Sequence, residues 1–392
     1  CRYILRSDNR GNSWQEMPVP GAIGMSNFAR NQAWYDLTLE IDPVNPDRVF
    51  IGGIDLLLTE DGGQSWNQIS QWFGRTYQEV HADQHNIVIN PFDSREALFS
   101  NDGGVYFCKN IRSSTPVVER REIGYNTTQY YAADMHPTDD NFLIGGTQDN
   151  GSHILDQPGI NIGREVTGGD GAFCHIDQNN PDIIITSYIY NSYWLSIDGG
   201  NNFTRASYGN RTGRFINPTD YDSETKTLYA NFRGGNFLRL NGVDLLNTSE
   251  DIIEVDTFNN ASITALLVSP NVRDRVYFGL TNGRLVYVDN ASGVNDNVRG
   301  VQIAPQLVNR GNISSIAIAE GDEDHIVMTY SNYGVSSVWE TRDGGDNWIN
   351  IENNLPDMPV RWGIFAPDNN DVFLLATEMG VWMSGDLDGE DT

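Results

Sequence analysis

Basic charge is scarce in this chain. Its 392 residues include 25 lysines and arginines against 53 aspartates and glutamates, a formal net charge of −28, and the lysines are Lys109 and Lys226 alone. A free-standing nucleic-acid binder carries a basic footprint against phosphate, so nucleic acid is excluded as a partner. The same sign of charge disfavours rest on an anionic membrane surface. Long apolar runs are missing too. None approaches the roughly 20 residues that span a bilayer, so no direct membrane insertion is expected. Cysteine is too rare for a disulfide scaffold. A Cys108–Cys174 bridge and buried free thiols both stay open, with Cys1 the third. No amphipathic stretch of about 12 residues reads as helix. Signal peptide and initiator Met are absent from the opening Cys1-Arg2-Tyr3, which reads as a trimmed piece of a longer precursor.

What is present is glycine, 39 residues, and aromatics at 11%. That aromatic content with many β-branched residues argues against disorder, and glycine without a period of three excludes collagen. Strong acidity with abundant Asn and Gly suits a secreted or cell-surface protein.

An octapeptide, Ser/Thr-x-Asp-x-Gly-x-x-Trp/Phe, recurs along the chain. It stands at Thr59–Trp66, Ser100–Phe107, Ser196–Phe203 and Thr341–Trp348. A degenerate copy at Ser7–Trp14 has Asn9 in place of Asp, and a partial copy closes the chain at Ser384-Gly385-Asp386. The spacing divides the chain into about eight units of about 40–50 residues, the size of a four-stranded propeller blade. Glycine-rich turns at Asp149-Asn150-Gly151, Arg233-Gly234-Gly235 and Thr281-Asn282-Gly283 sit where further units should turn. Within a unit the pattern repeats. An alternating strand such as Tyr35–Asp42 leads to a Pro-Asx turn, then to apolar strands such as Arg48–Gly53 and Leu56–Leu58. The chain therefore reads as an all-β propeller of about seven to eight four-stranded blades over 1–392. The first and last blades read as incomplete, and the chain as a fragment of a longer, tandem-propeller protein.

The octapeptide has a structural explanation. Its Asp accepts backbone N–H groups of the turn, its second Gly allows positive φ, and its aromatic wedges between sheets. The residues so assigned are Asp61, Gly63 and Trp66; Asp102, Gly104 and Phe107; Asp198, Gly200 and Phe203; Asp343, Gly345 and Trp348.

These motifs resemble the Asp-box (BNR) repeats of sialidases, sortilin-type receptors and xyloglucanase-type glycoside hydrolases. A closer likeness is to large secreted proteins of Bacteroidetes-type bacteria. It is carried by Trp34-Tyr35-Asp36-Leu37, His81-Ala82-Asp83-Gln84-His85, Asn101–Tyr106, Gly146–Gly151 and Gly168-Gly169-Asp170-Gly171. The resemblance implies export by the type IX secretion system and a place on, or shed from, the cell surface.

Candidate sites come from charged residues on innermost strands. A hydrolase needs two carboxylates flanking the cleft, and Asp36, Asp83, Asp134 and Asp170 are available, with Asp36, Asp83 and Asp170 the catalytic candidates. On a strand, His81, Asp83 and His85 share a face and can hold a divalent metal, Zn²⁺ or, with the Asp-Gly turns, Ca²⁺. Asp134, His136, Asp149 and His175 follow on adjacent blades, where the plainer role is to tie blades together. The Arg triad of a sialidase has Arg48, Arg214 and Arg361 to draw on but lacks its signature. Tyr130-Tyr131 and Tyr188–Trp194 offer a carbohydrate-stacking platform or propeller core. The sequons at Asn126, Asn202, Asn210, Asn247, Asn260, Asn290 and Asn312 reflect an Asn-rich composition. The leading reading is a non-catalytic secreted or surface propeller that binds glycan or protein in adhesion or an extracellular assembly. The alternative is a secreted, xyloglucanase-like polysaccharide hydrolase with paired Asp.

Overall fold

The computed structural model describes residues 1–121, 124–125, 128–159, 161–207, 209, 211–295, 298–307, 311–367 and 369–385. Asn126, Asn210 and Asp386, singled out above, lie outside them. Helix among these residues is limited to two short 3₁₀ turns, Val243–Leu245 and Asp256–Phe258. Where the sequence reads as one run of blades, the chain divides into two compact units, Cys1–Thr127 and Thr128–Thr392.

Both units are built from antiparallel meanders, the blades of a β-propeller. The first holds a two-stranded sheet at 4–17 and four-stranded sheets at 38–68 and 84–120. The second holds four-stranded sheets at 130–167, 174–205, 219–254, 263–304 and 313–350, then a three-stranded sheet at 360–384. Each sheet is laid down in chain order, from a first strand outward. First strands of successive blades lie side by side: Thr38–Ile41 beside Gln84–Ile89 in the first unit, and Ile263–Val268, Ile313–Ala319 and Val360–Ala366 in succession in the second.

Apolar side chains fill the gaps between sheets. Phe50, Leu58, Ile87, Phe99 and Tyr106 form one such layer in the first unit. Tyr229, Phe237, Phe258, Leu266 and Phe278 form another in the second. Each fully buried large side chain contributes about 1.5–3 kcal/mol. The three cysteines are free thiols, and Cys108 and Cys174 belong to these layers. Burial pushes the Cys174 thiol up to about 12.

Polar staples cross between neighbouring first strands. Asp134 Oδ2 accepts the Ile176 N–H at 2.7 Å, and Asp220 Oδ2 accepts the Val268 N–H at 2.7 Å. The turns after several first strands are closed by the side chain at or just past the strand's end. Asp177 Oδ1 takes the N–H groups of Asn179 and Asn180, both at 2.8 Å, and Asp222, Ser269 and Asn90 play the same part. His136 does so with Nδ1, accepting Thr138 and Asp139 N–H at 3.2 and 3.1 Å.

Four octapeptide turns are alike, each joining the third and fourth strands of a blade or their counterparts at 4–17. Thr59 Oγ1 accepts the Gly63 N–H at 3.0 Å, and Asp61 Oδ1 accepts those of Gln64 and Ser65 at 2.9 Å. Ser196 with Asp198 and Thr341 with Asp343 repeat the pattern. At 7–14 the Asn9 amide substitutes, its Oδ1 taking the Ser13 N–H at 2.8 Å. Gly63, Gly200 and Gly345 have φ of 94°, 79° and 100°, where a side chain would be strained. Trp66, Phe203 and Trp348 pack into the layers between sheets.

The copy at 100–107 is different. Asn101 pairs with Gly104 across a two-residue hairpin joining the second and third strands, at the opposite end of the third strand from the other turns. Asp102, Gly104 and Phe107 therefore do not build the repeated turn. Asp-Gly-Gly marks a tight turn, and only the strand count tells which hairpin it closes. Ser196→Ala is expected to lower stability by about 1–2 kcal/mol through loss of a buried acceptor. Ser100→Ala, in the look-alike, should cost under about 0.5 kcal/mol. Urea unfolding of the two variants checks this, and equal losses would contradict the assignment.

Candidate active site

In the first unit, two carboxyl groups meet at the entries of adjacent first strands. A turn at 32–36, closed by Tyr35 and Asp36 N–H groups on the Gln32 carbonyl, delivers Asp36 just before Thr38–Ile41. Asp83 precedes Gln84–Ile89 with φ of 65°, and its N–H is held by the Ile54 carbonyl at 3.2 Å. Gln32 Nε2 bridges the pair, 2.8 Å from Asp83 Oδ1 and 3.3 Å from Asp36 Oδ2. Asp36 is fully buried, and its Oδ1 is sealed from solvent with no hydrogen-bond partner. Burial first, and the Asp83 charge second, lift the Asp36 carboxyl to about 7. Asp36 is therefore about half protonated at neutral pH and fully protonated below it, beside the Asp83 carboxylate whose charge helps to hold that proton.

Beside the pair, Asp102 receives the Tyr35 hydroxyl at 2.9 Å and His85 Nε2 at 2.5 Å. The Tyr35 and His85 rings meet edge to face at 5.0 Å. Trp34, 84% exposed, lies 5.7 Å from the Tyr35 ring.

The expected metal set of His81, Asp83 and His85 is not gathered on one face. The strand begins only at Gln84, and the left-handed backbone at Asp83 breaks the alternation on which a shared face depends. His81 packs against Gly103, Asp83 accepts from Gln32, and His85 pairs with Asp102.

In the second unit, Asp170 Oδ1 accepts the Asp149 N–H at 3.2 Å. The Asp149 and Asp170 turns are locked together by Gly151 N–H to the Gly169 carbonyl at 2.6 Å. Burial and these two charges push the Tyr131 hydroxyl up to about 12. Asp170 is thus placed with Asp149 within the second unit, and Asp36 with Asp83 within the first. Asp134 is an inter-blade staple. His175 Nε2 lies 2.9 Å from Thr219 Oγ1, and burial lowers its pKa to about 4. Tyr193 is core, and the Tyr130 ring packs against Gly145. Gln32 carried no sequence signal, because an amide that bridges two acids looks like any other Gln.

No family model matches the chain. The oligoxyloglucan-reducing end-specific xyloglucanase of Emericella nidulans is 21% identical, over 92% of this chain and 49% of that enzyme. The chain thus spans about half the length of the curated relative it matches. Similar solved structures include a GH74 xyloglucanase from Xanthomonas campestris, with TM-score 0.48, 16% identity, and coverage of 95% of this chain and 61% of that one. Another is a GH74 enzyme from Niastella koreensis, with TM-score 0.46, 13% identity, and coverage of 96% and 62%. YCF48 from Cyanidioschyzon merolae has TM-score 0.41 and 13% identity, covering 95% and 98%. The xyloglucanase relative overturns the expectation of a non-catalytic binder, since the protein matched along nine-tenths of the chain is a hydrolase.

The Asp36 shift has a consequence for stability. Between the ordinary carboxylate pKa near 4 and about 7, the unfolded chain releases this proton and the folded chain keeps it. Its contribution to stability is full at low pH and is lost as pH rises through that window. Relative to Asp36→Asn, the wild type should lose about 2–4 kcal/mol between pH 4 and 7. Urea midpoints across pH measure this difference, and parallel profiles would exclude the shift.

Proposed function

We propose that the chain is the propeller portion of an extracellular glycoside hydrolase acting on a β-glucan such as xyloglucan, with Asp36 and Asp83 as its acid unit. The observation that carries the reading is the buried Asp36 carboxyl, lifted to about 7 and bridged to Asp83 by Gln32. The xyloglucanase relative supports it.

Cleaving a glycosidic bond requires a carboxyl still protonated at working pH to protonate the leaving oxygen. Asp36 stores that proton. Asp83, half-buried rather than sealed, is the member that meets substrate. An inverting hydrolase holds its two carboxylates roughly 6.5–9.5 Å apart, with water between them. A pair joined through one amide is too close for that arrangement. Asp36 and Asp83 therefore serve as one acid, and the partner base is a carboxylate outside the pair. The Trp34 ring offers a face for a sugar. The repeated turns support membership of the Asp-box group, and the phrases around Asp36, Asp83 and Asp170 support export by the type IX route.

Reducing-end release from xyloglucan oligosaccharides and a panel of β-glucans tests the reading. The expected result is turnover that declines as pH rises above about 7, a loss of about 10²–10⁴-fold in Asp83→Asn and Asp36→Asn, and a raised KM in Trp34→Ala. Absence of turnover by folded wild type on the whole panel would refute it, as would full activity in Asp83→Asn.

A further inference from the structure

In the second unit, a group of arginines stands without acidic partners. Among the described residues no carboxylate pairs with Arg211, Arg214 or Arg233, although acids outnumber bases 53 to 25 in this chain. Arg233 Nη2 instead donates to the Arg211 backbone carbonyl at 3.1 Å. Arg214 and Arg361 line one cavity of about 200 Å³ with Phe173, Thr264, Asn312 and Ser314. Arg361 is steadied by Glu378 through Nε at 2.8 Å. Phe173 lies 6.2 Å from the ring of Trp362, which is 40% exposed.

The segment bearing Arg214 is fixed from beneath. Asn191, Asn217 and Asn231 are buried and form a closed amide network. Asn217 Nδ2 donates to Asn191 Oδ1 at 2.7 Å, and Asn231 Nδ2 donates to Asn217 Oδ1 at 3.1 Å. Asn217 Oδ1 also takes the Arg214 N–H at 2.8 Å. Gly213 has φ of 79°, and a Cβ there would lie 2.6 Å from the Asn217 amide. Such preorganisation lowers the ordering cost of binding.

We propose that this cavity binds a hexuronate residue of a polysaccharide. Guanidinium groups grip a carboxylate bidentately. An aromatic face accepts the C–H side of a sugar ring. The Thr264 and Ser314 hydroxyls and the Asn312 amide suit ring hydroxyls. The volume, roughly that of seven waters, is on the scale of one pyranose. The site goes beyond the hydrolase reading and does not depend on it, because it is detected by binding alone.

Calorimetric titration of the full chain with a galacturonate trimer, a neutral galactose trimer and inorganic phosphate tests the proposal. The galacturonate trimer should bind and weaken with added salt. Arg214→Ala and Phe173→Ala should each weaken it at least tenfold, Arg214→Lys less so, and Asp36→Asn not at all. Equal binding of the neutral trimer, phosphate binding as tight as galacturonate, or unchanged affinity in Arg214→Ala would overturn it. No binding of galacturonate by the wild type would do the same. Unchanged urea midpoints establish that Arg214→Ala is folded, since Arg214 is exposed and its side chain holds no other residue.

Discussion

Several sheets here have middle strands buried on both faces and cannot be stable apart from their neighbours. The strand Leu56–Thr59 is inaccessible along its whole length, as are Ile184–Ser187 and Thr227–Asn231. Burial on that scale is available only when a second sheet covers each face. The inter-sheet layers therefore set the architecture, and the hydrogen-bonded turns and staples fix the register in which the layers form. Asp134 and Asp220 show the coupling, each reaching from its own first strand to a backbone N–H of the next.

That packing leaves the entries of the first strands as places where polar side chains converge. In the first unit the entry residues are acids, Asp36 and Asp83, and burial makes one of them retain its proton. In the second unit the corresponding places carry Phe173 and Arg361, with Arg214 on the adjoining connection. One backbone arrangement thus supplies a proton-holding pair and a cationic, aromatic cavity, differing only in the side chains it displays. Fold does not dictate which chemistry appears. The residues at these entries do.

Much of the fold was legible in the sequence because its signals are local. The period-two alternation of Tyr35–Asp42, the Pro-Asx turns and the Asp-Gly-Gly boxes each involve residues close in sequence, and their spacing gives the blade length. The look-alike at 100–107 shows the limit. Its composition matches the boxes, yet it closes the wrong hairpin for one. The metal set failed for a related reason: His81, Asp83 and His85 share a face only if the backbone there is a strand, and a φ of 65° at Asp83 means that it is not.

The candidate site was legible residue by residue but not as an assembly. Asp36 and Asp83 stood out as inner-strand acids, while their meeting through Gln32 joins residues 51 positions apart. Neither the proton they hold nor the unpaired state of Arg214 is a property of a residue type; both come from burial and from what faces the group. The sequence by itself determined the β-blade repeat, the turn chemistry and the acidic surface, because these depend on neighbours along the chain. The tertiary structure alone decided which acids meet, which partner each imidazole takes and which arginines face a cavity, because desolvation and charge pairing depend on neighbours in space.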